Sequence, residues 1–435
     1  MREALRGLTT RGRSFLAAAA AAGLSALLLG EKDLFRVAVL LTALPLLAIL
    51  AVARGRYRLT CSRVVEPHRT PVGTTARVVL RLNNTSHVPT GTLLLEDSLP
   101  YALGSRPRLV LERLGARRTS AVAYTVRADA RGRYEIGPLQ VRITDPFGLC
   151  ELARSFPTVT TLTVIPQVVP LPPIRLVGDY AGSGESRSRS VAVHGEDDAA
   201  PREYRYGDDL RRVHWRSTAR TGELMVRREE QPWESRATIV LDARGTAHRG
   251  EGTASSFEWA VSAAASVAMH LRTGGYKVRL VTGGDAARDI EVWDDAGVDS
   301  LLDHLAQIRT DRRQQLPSLV DRVRQHGNPG TVIAILGAMT PEEADVVARL
   351  HTGGVTCIGF LMDAVSWVDV SEQARSATAQ EYELTRLVLV RNGWRVVPVR
   401  RGAQLAALWH QAAARGPQGF AYRAAMAETV SRGGS

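Results

Sequence analysis

The sequence contains little lysine and little cysteine. Of its 56 basic residues only Lys32 and Lys277 are lysines, and the rest are arginines. The three cysteines, Cys61, Cys150 and Cys357, are scattered and odd in number, which excludes a disulfide framework and a cysteine metal site. This cysteine usage is typical of a reducing compartment.

Several sequence motifs of enzymes are also missing. There is no G-x-S-x-G elbow, no H-E-x-x-H, no P-loop and no G-x-G-x-x-G after a strand. We therefore predict that the protein is not an enzyme and uses no cofactor. The net charge of +12 and the pI near 10.2 suit nucleic-acid binding. However, the preference for arginine over lysine, with abundant alanine and glycine, is typical of GC-rich coding, so we expect no nucleic-acid partner.

Two uncharged apolar runs lie near the N-terminus, at residues 14–30 and 37–53. Each run gives about 26 Å of helix, and flanking arginines can extend it toward the roughly 30 Å of a bilayer core. A core hairpin would have a polar face, and a cleaved signal would not be followed at once by a second run. We therefore predict that residues 1–56 form a transmembrane hairpin.

Arginines flank this hairpin on both outer sides. Before the first run lie Arg2, Arg6, Arg11 and Arg13, and after the second lie Arg54, Arg56 and Arg58. The positive-inside rule then predicts that both termini are cytoplasmic and that the protein lies in the cell (inner) membrane with two spans.

Residues 57–170 consist of short alternating or apolar runs separated by turn residues. This spacing predicts an all-β sandwich. Two short sequence motifs in this region, called words below, are more distinctive. They are R-G-R-Y-E-I-G-P, which begins at Arg131, and D-P-F-G-L, which begins at Asp145. Glycine and proline at these positions favour tight turns, so we interpret both words as hairpin turns.

After a linker and a charged segment at residues 171–234, strands and helices alternate through residues 235–415. Continuous apolar strands between helical stretches predict a parallel sheet covered on both faces, an α/β doubly wound domain. Within it, Thr340 followed by Pro341 and Glu343 predicts a capped helix start. Residues 416–435 have the composition of a flexible tail.

The charged segment at residues 203–228, called here the signature segment, is too polar for a core element. Residues 202–234 contain eight arginines and seven carboxylates, so the charges almost cancel. Balanced charge favours arginine–carboxylate pairing over a nucleic-acid arm. The alternatives are a strap between domains, a docking site for a partner and, least favoured, a catalytic site.

The signature segment resembles that of the bacterial domain of unknown function 58 family, which reads R-E-Y-x-x-G-D-D-x-R-x-x-H/D-W-x-x-x-A-R. The residues that fill this pattern are Arg202, Glu203, Tyr204, Gly207, Asp208, Asp209, Arg211, His214, Trp215, Ala219 and Arg220. The two words of the β region are frequent in the same family.

This resemblance implies that the second half has a von Willebrand factor A-like fold, in which D-x-S-x-S after the first strand often holds Mg²⁺. Here that loop reads Asp242-Ala-Arg-Gly-Thr246. Arg244 replaces the middle serine and brings a cation to the place of the metal. Asp242 and Thr246 are therefore weak metal candidates, and the alternatives for Asp242 are a backbone cap or a pair with Arg244.

The resemblance also implies a protein partner, a MoxR-type AAA ATPase. We therefore expect a membrane-anchored, non-enzymatic adaptor or scaffold with cytoplasmic protein-interaction domains, acting in complex assembly or in the cell envelope. The alternative is a metal-dependent hydrolase that uses a degenerate metal site at Asp242, with Thr246 and the Asp208–Asp209 pair.

Overall fold

The structure is a computed structural model that describes most of the chain. The described residues are 7–54, 59–145, 147–173, 202–204, 213, 215–226, 236–283, 289–325, 330–352, 355–369 and 371–413. The predicted tail at residues 416–435 and most of the predicted linker and signature segment lie outside these ranges. The contacts divide the chain into two compact units. The first comprises Met1–Pro170, His248–Ser266 and Ala296–Asp311, and the second comprises Leu171–Ala247, Val267–Asp295 and Arg312–Ser435.

The first unit begins with two long apolar helices, α1 (Thr10–Leu29) and α2 (Lys32–Arg54). The Thr9 side chain caps α1 by accepting a hydrogen bond from the Gly12 amide at 3.2 Å. By length and composition both helices could cross a membrane. The helices themselves are confirmed, but α2 begins at Lys32 and not at residue 37, so most of the charged residues between the two apolar runs lie at its start.

Among the described residues of the first unit ten strands follow, and most of them alternate between more buried and more exposed residues, as a strand with one apolar face does. They are β1 (Leu59–Glu66), β2 (Arg69–Pro71), β3 (Thr75–Asn84), β4 (Leu93–Asp97), β5 (Arg108–Leu111), β6 (Thr119–Arg127), β7 (Gly132–Ile136), β8 (Leu139–Thr144), β9 (Glu151–Phe156) and β10 (Thr160–Ile165). The R-G-R-Y word, which we interpreted as a turn, instead contributes strand β7.

These strands form three sheets with the orders β1-β3-β6, β2-β10-β7 and β5-β4-β8-β9. All neighbouring pairs are antiparallel except β2 and β10. Leu80 and Leu82 of β3 share one apolar cluster with Leu93 of β4. Further along β3, Val78 shares a second cluster with Leu162 of β10. The sheet β1-β3-β6 therefore packs against both of the others.

From residue 202 onward, short elements precede an alternating series of strands and helices. They are β11 (Arg202–Glu203), α3 (Trp215–Thr221), β12 (Met225–Val226), β13 (Arg236–Leu241), α4 (Ser256–Thr273), β14 (Lys277–Thr282), β15 (Ile290–Val292), α5 (Asp295–Gln307), α6 (Leu316–Gln325), β16 (Thr331–Leu336), α7 (Pro341–Ala348), β17 (Cys357–Met362), α8 (Glu372–Arg391), β18 (Arg395–Val399) and α9 (Leu405–Ala413). The alternation of strands and helices that the sequence predicts for residues 235–415 is present. Helix α8 was not predicted.

The second unit is built on a six-stranded sheet with the order β15-β14-β13-β16-β17-β18. Its strands pair in parallel, except that the edge strand β15 is antiparallel to β14. The chain adds strands on one side of β13 and then returns to add β16 on the other. The strand order thus reverses between β13 and β16, and ligands of open α/β sheets bind at the carboxyl ends of the strands at such a point.

Helices pack on opposite faces of this sheet. The adjacent β17 residues Phe360 and Leu361 point to opposite faces because side chains alternate along a strand. Phe360 stacks on Trp409 of α9, with ring centroids 6.3 Å apart. Leu361 belongs to an apolar cluster with residues of α6, α7 and α8, among them Leu319 and Leu389. Both faces of β17 are therefore buried, which explains its uninterrupted run of buried residues.

Candidate functional site

The candidate site lies where the strand order reverses. Asp242 directly follows β13, and Gly337 directly follows β16. Because the two strands are parallel neighbours, their carboxyl ends meet at one edge of the sheet. The Asp242 amide donates to the Ile335 carbonyl at 3.0 Å, which continues the strand pairing up to the site.

The Asp242 carboxylate is fully buried and accepts hydrogen bonds from the backbone on two sides. Oδ1 accepts from the Arg244 amide at 3.0 Å, and Oδ2 accepts from the Gly337 amide at 3.2 Å. A buried carboxylate needs such donors and a positive partner, since an isolated charge is costly away from water. The backbone cap that the sequence left open for Asp242 is thus present.

The positive partner is Arg244, two residues further along the same loop. Its Nε donates to Asp242 Oδ1 at 3.1 Å, and its Nη2 donates to Oδ2 at 3.0 Å. Nη2 also donates to the Ala338 carbonyl at 2.9 Å, and Nη1 donates to Glu343 Oε1 at 2.6 Å. The Arg244 side chain is almost completely buried. Its guanidinium bonds at once to Asp242, to the Ala338 carbonyl and to Glu343, and so joins two loops and a helix.

The charge of Arg244 is secured by its neighbours. Burial alone lowers the pKa of Arg244, but the charge and hydrogen bonds of Asp242, followed by those of Glu343, raise it above its ordinary value. The site therefore carries a permanent cation that belongs to the chain itself.

Glu343 reaches Arg244 from the first turn of α7. Its amide donates to the Thr340 hydroxyl at 3.3 Å, and its Oε2 accepts from the Thr340 amide at 3.0 Å. This reciprocal arrangement is the capping box that the sequence predicted, with Pro341 in the first turn, and it is confirmed. One carboxylate oxygen serves the cap and the other serves Arg244. The sequence indicated only the first role.

The residues present do not fit a divalent cation. Mg²⁺ requires several oxygen ligands in a near-octahedral arrangement. Both oxygens of Asp242 are already engaged, and the arginine side chain lies on the carboxylate where a metal would lie. Thr246 is exposed. Within the described ranges, no group of three or more His, Cys, Asp or Glu side chains could hold a metal.

The signature segment is described only in part, and all of that part belongs to the second unit. Arg202 and Glu203 pair with β12, and the Tyr204 amide donates to the Leu224 carbonyl at 2.8 Å. Val213 forms a bridge with Val226, and both are buried. Gly207, Asp208, Asp209, Arg211 and His214 lie outside the described residues.

The other signature residues lie on helix α3, which exposes them. The Trp215 side chain is 71% exposed, and Arg216, Ala219 and Arg220 are also exposed. Neither Arg216 nor Arg220 forms an ion pair with a carboxylate of the described ranges. The pairing proposed for the rest of the segment stays a prediction.

Sequence reasoning missed a second buried arginine, Arg131 of the R-G-R-Y word, in the first unit. Its Nε and Nη2 donate to the Glu258 carboxylate at 2.8 and 3.0 Å, and its Nη1 donates to the carbonyls of Leu305 and Ile308 at 2.7 and 2.6 Å. The guanidinium lies 5.3 Å from the centre of the Phe257 ring. The helix α5 thus receives a cation at its carboxyl end, where carbonyls lack partners.

Comparison with known proteins bears on the second half of the chain. A family model described as "Protein of unknown function DUF58" matches residues 200–336. The chain therefore carries a DUF58 region. This region includes the signature segment and the Asp242–Arg244 pair, and it ends with the last residue of β16, before Glu343. The match supports the resemblance drawn from the signature residues.

No curated protein matches the sequence. Among solved structures, a CARDB domain from Pyrococcus furiosus, solved in complex with di-metal ions, is 14% identical over 25% of this chain and 93% of its own, with a TM-score of 0.19. The putative ApaA protein from Bordetella pertussis is 12% identical over 25% of this chain and 94% of its own, with a TM-score of 0.20. Similarity this low carries no argument about fold or function.

Proposed function

We propose that the protein is a membrane-anchored, non-enzymatic adaptor that binds other proteins through cytoplasmic domains. The observation that carries the proposal is the Arg244 side chain on Asp242, at the point of the sheet where a ligand would bind. A carboxylate whose oxygens are engaged by a guanidinium of the same chain is poorly suited to hold a metal or to act as a base. The hydrolase alternative at Asp242 is disfavoured for the same reason.

The fold that we propose for this role has two parts. The six-stranded sheet with its reversed strand order and helices on both faces supports a doubly wound, von Willebrand factor A-like domain. The three sheets that share two apolar clusters in the first unit support a β-sandwich. In this proposal the A-like domain is the protein-docking module.

The membrane anchor in this proposal is the pair of helices α1 and α2. Both expose apolar side chains, including Leu27, Leu28 and Leu40. Exposed leucines on long helices suit a lipid environment better than water. The arginines outside the two apolar runs favour cytoplasmic termini in the inner membrane.

The partner that we propose is a MoxR-type AAA ATPase, and its proposed contact is helix α3 of the signature segment. An exposed tryptophan next to exposed arginines has the composition of an interface centre, where tryptophan and arginine contribute most of the binding energy. Trp215, Arg216 and Arg220 supply such a patch, and their exposure leaves them accessible.

The test is the affinity of the full chain, in nanodiscs, for the purified MoxR-type ATPase of the same organism. We expect Trp215→Ala to weaken binding by about 2 kcal/mol, roughly thirtyfold, with Arg220→Ala weaker in effect. Trp293→Ala is the matched control, since Trp293 is also exposed but lies outside the signature segment. Full-strength binding of both signature variants, with unchanged melting, would overturn the proposed contact.

A further inference from the structure

The described residues of the D-P-F-G-L word, Asp145 and 147–149, lie in the first unit between strands β8 and β9 and form a turn. Asp145 is buried, and its carboxylate accepts from the amides of Phe147 at 3.0 Å and Cys150 at 2.6 Å. The Gly148 amide donates to the Asp145 carbonyl at 3.0 Å, and Gly148 has a φ of 68°, which favours glycine. Three hydrogen bonds to Asp145 therefore define the turn.

This turn is bonded to the start of helix α1. The Thr9 amide donates to the Leu149 carbonyl at 3.0 Å, and the Thr9 hydroxyl donates to the Gly148 carbonyl at 2.6 Å. A Cβ on Gly12 would overlap with the Leu149 carbonyl oxygen, so the turn approaches the helix as closely as its backbone allows. The contact is specific.

Apolar packing fixes the level of the turn along both helices. Leu149 and Cys150 are buried in one cluster with Ala48 and Ile49 of α2, and Phe15 of α1 packs against this cluster. The apolar run in α2 continues to residue 53, so Ala48 and Ile49 lie about 6–7.5 Å from its end along the helix axis. The turn therefore lies within about two helical turns of this end of the candidate span.

Phe147 is the exposed side chain of this turn. It is 66% exposed, although it directly precedes Gly148 and Leu149, whose bonds and packing attach the turn to the helices. The exposed Arg11 side chain approaches the Gly148 position beside it. An exposed aromatic ring next to an arginine, near the end of a span, has the composition that binds the boundary between lipid headgroups and acyl chains.

We propose that this turn is a membrane-contact site, in which Phe147 inserts into the headgroup region of the bilayer while Arg11 faces anionic lipid headgroups. The inference rests on the membrane insertion that is part of the proposed function. It adds that the β region touches the bilayer through one defined turn, and so has a fixed orientation at the membrane surface.

The test measures the depth of three labelled positions in the full chain, reconstituted in vesicles of phosphatidylethanolamine and phosphatidylglycerol. Cys61, Cys150 and Cys357 are replaced, and a single cysteine is introduced as Phe147→Cys, Leu40→Cys or Tyr101→Cys and labelled with an environment-sensitive fluorophore. Leu40 lies within α2, and Tyr101 is fully exposed. Tyr101 follows Asp97, which pairs with Leu139 at the opposite end of β8 from the turn. Nitroxide lipids then quench the label according to its depth.

We expect acyl-chain nitroxides to quench the label at position 40, and headgroup nitroxides to quench the label at 147 several-fold more than that at 101. If position 40 is quenched and 147 is quenched no more than 101, the membrane-contact site is wrong while membrane insertion stands. The same result is expected if Phe147 contacts a protein partner and not lipid. If position 40 is not quenched, both the insertion and the contact site are overturned.

Discussion

Arg244 donates two hydrogen bonds to the carboxylate of Asp242, through Nε at 3.1 Å and Nη2 at 3.0 Å. The two residues are separated by one alanine in the loop that follows the first strand of the sheet. At this position a metal-binding loop of the same pattern has a serine, whose hydroxyl is a ligand. In this chain the positive charge beside Asp242 is a fixed side chain, Arg244.

Removing the arginine should destabilise the second unit. Arg244→Met leaves the buried Asp242 carboxylate without its positive partner, and removing one partner of a buried pair typically costs about 3–5 kcal/mol. The measurement is urea unfolding in detergent, followed by the fluorescence of Trp394 and Trp409, which are buried in the second unit.

The double variant Arg244→Met with Asp242→Asn is the control for this prediction. Because it removes both charges of the pair, it should recover a substantial part of the lost free energy of unfolding. Equal stability of the single and double variants would mean that the pair is not the reason for the loss.

A second prediction concerns Arg131 in the first unit. Arg131→Lys keeps the charge but cannot donate at once to the Glu258 carboxylate and to the carbonyls of Leu305 and Ile308, so we expect a loss of about 2 kcal/mol. Thermal melting followed by circular dichroism measures it. Arg127→Lys is the matched control, because the Arg127 pair with Asp129 is exposed and should contribute at most about 1 kcal/mol. Similar effects of the two substitutions would refute the special role of Arg131.

Cys357 in β17 gives a pH-dependent prediction. Burial raises the pKa of this thiol from 9.0 to about 12. Between these two pH values the thiol stays protonated in the folded protein and ionises in the unfolded chain. Its contribution to stability is complete below pH 9 and is lost as the pH rises from 9 toward 12. The expected loss is about 1.4 kcal/mol for each pH unit in this window.

Cys357→Val lacks this titration, so wild-type stability relative to the variant should fall between pH 9 and 12 and stay constant below pH 9. Urea unfolding at several pH values measures the difference in free energy of unfolding between the wild type and the variant. The contributions of the other titrating groups are the same in both proteins and cancel in this difference. Parallel stability curves through the alkaline range would contradict the prediction.

The close approach of the turn to α1 predicts that Gly12 cannot carry a side chain. Gly12→Ala should displace the turn and expose Cys150, which is fully buried, to a maleimide reagent. Gly23→Ala is the matched control in the same helix, because its Cβ would make only an ordinary contact with Ala38 at 3.7 Å. Alkylation is measured by mass spectrometry of the otherwise cysteine-free protein. An unreactive Cys150 in Gly12→Ala would show that the contact is not tight.

Strands of the second unit were predictable because each is a continuous apolar run, as in Thr331–Leu336, where all residues but the first are buried. Helix α8 (Glu372–Arg391) was not, since its buried residues are Thr385 and Leu389 alone and its first half consists of polar residues and alanines. A helix with one narrow buried stripe gives a weak periodic signal. Strand β7 was missed because glycine and proline beside it are also typical of turns.

The candidate site was predictable only as far as its residues are close in sequence. Asp242 and Arg244 lie in one loop, so their pairing was one of two alternatives. Glu343 lies 99 positions away from Arg244, and Thr9 lies 139 positions away from Gly148. Each of these contacts depends on how elements distant in sequence pack together, so a local sequence pattern cannot predict it.

The most direct test of the account is calorimetric titration of the full chain with Mg²⁺ and Mn²⁺. With Arg244 bonded to Asp242, we predict no saturable binding heat in the millimolar range for the wild-type protein. Saturable binding at one site that disappears in Asp242→Asn would contradict the claim that the chain's own arginine is the cation of this site. It would restore a metal-dependent role for the domain.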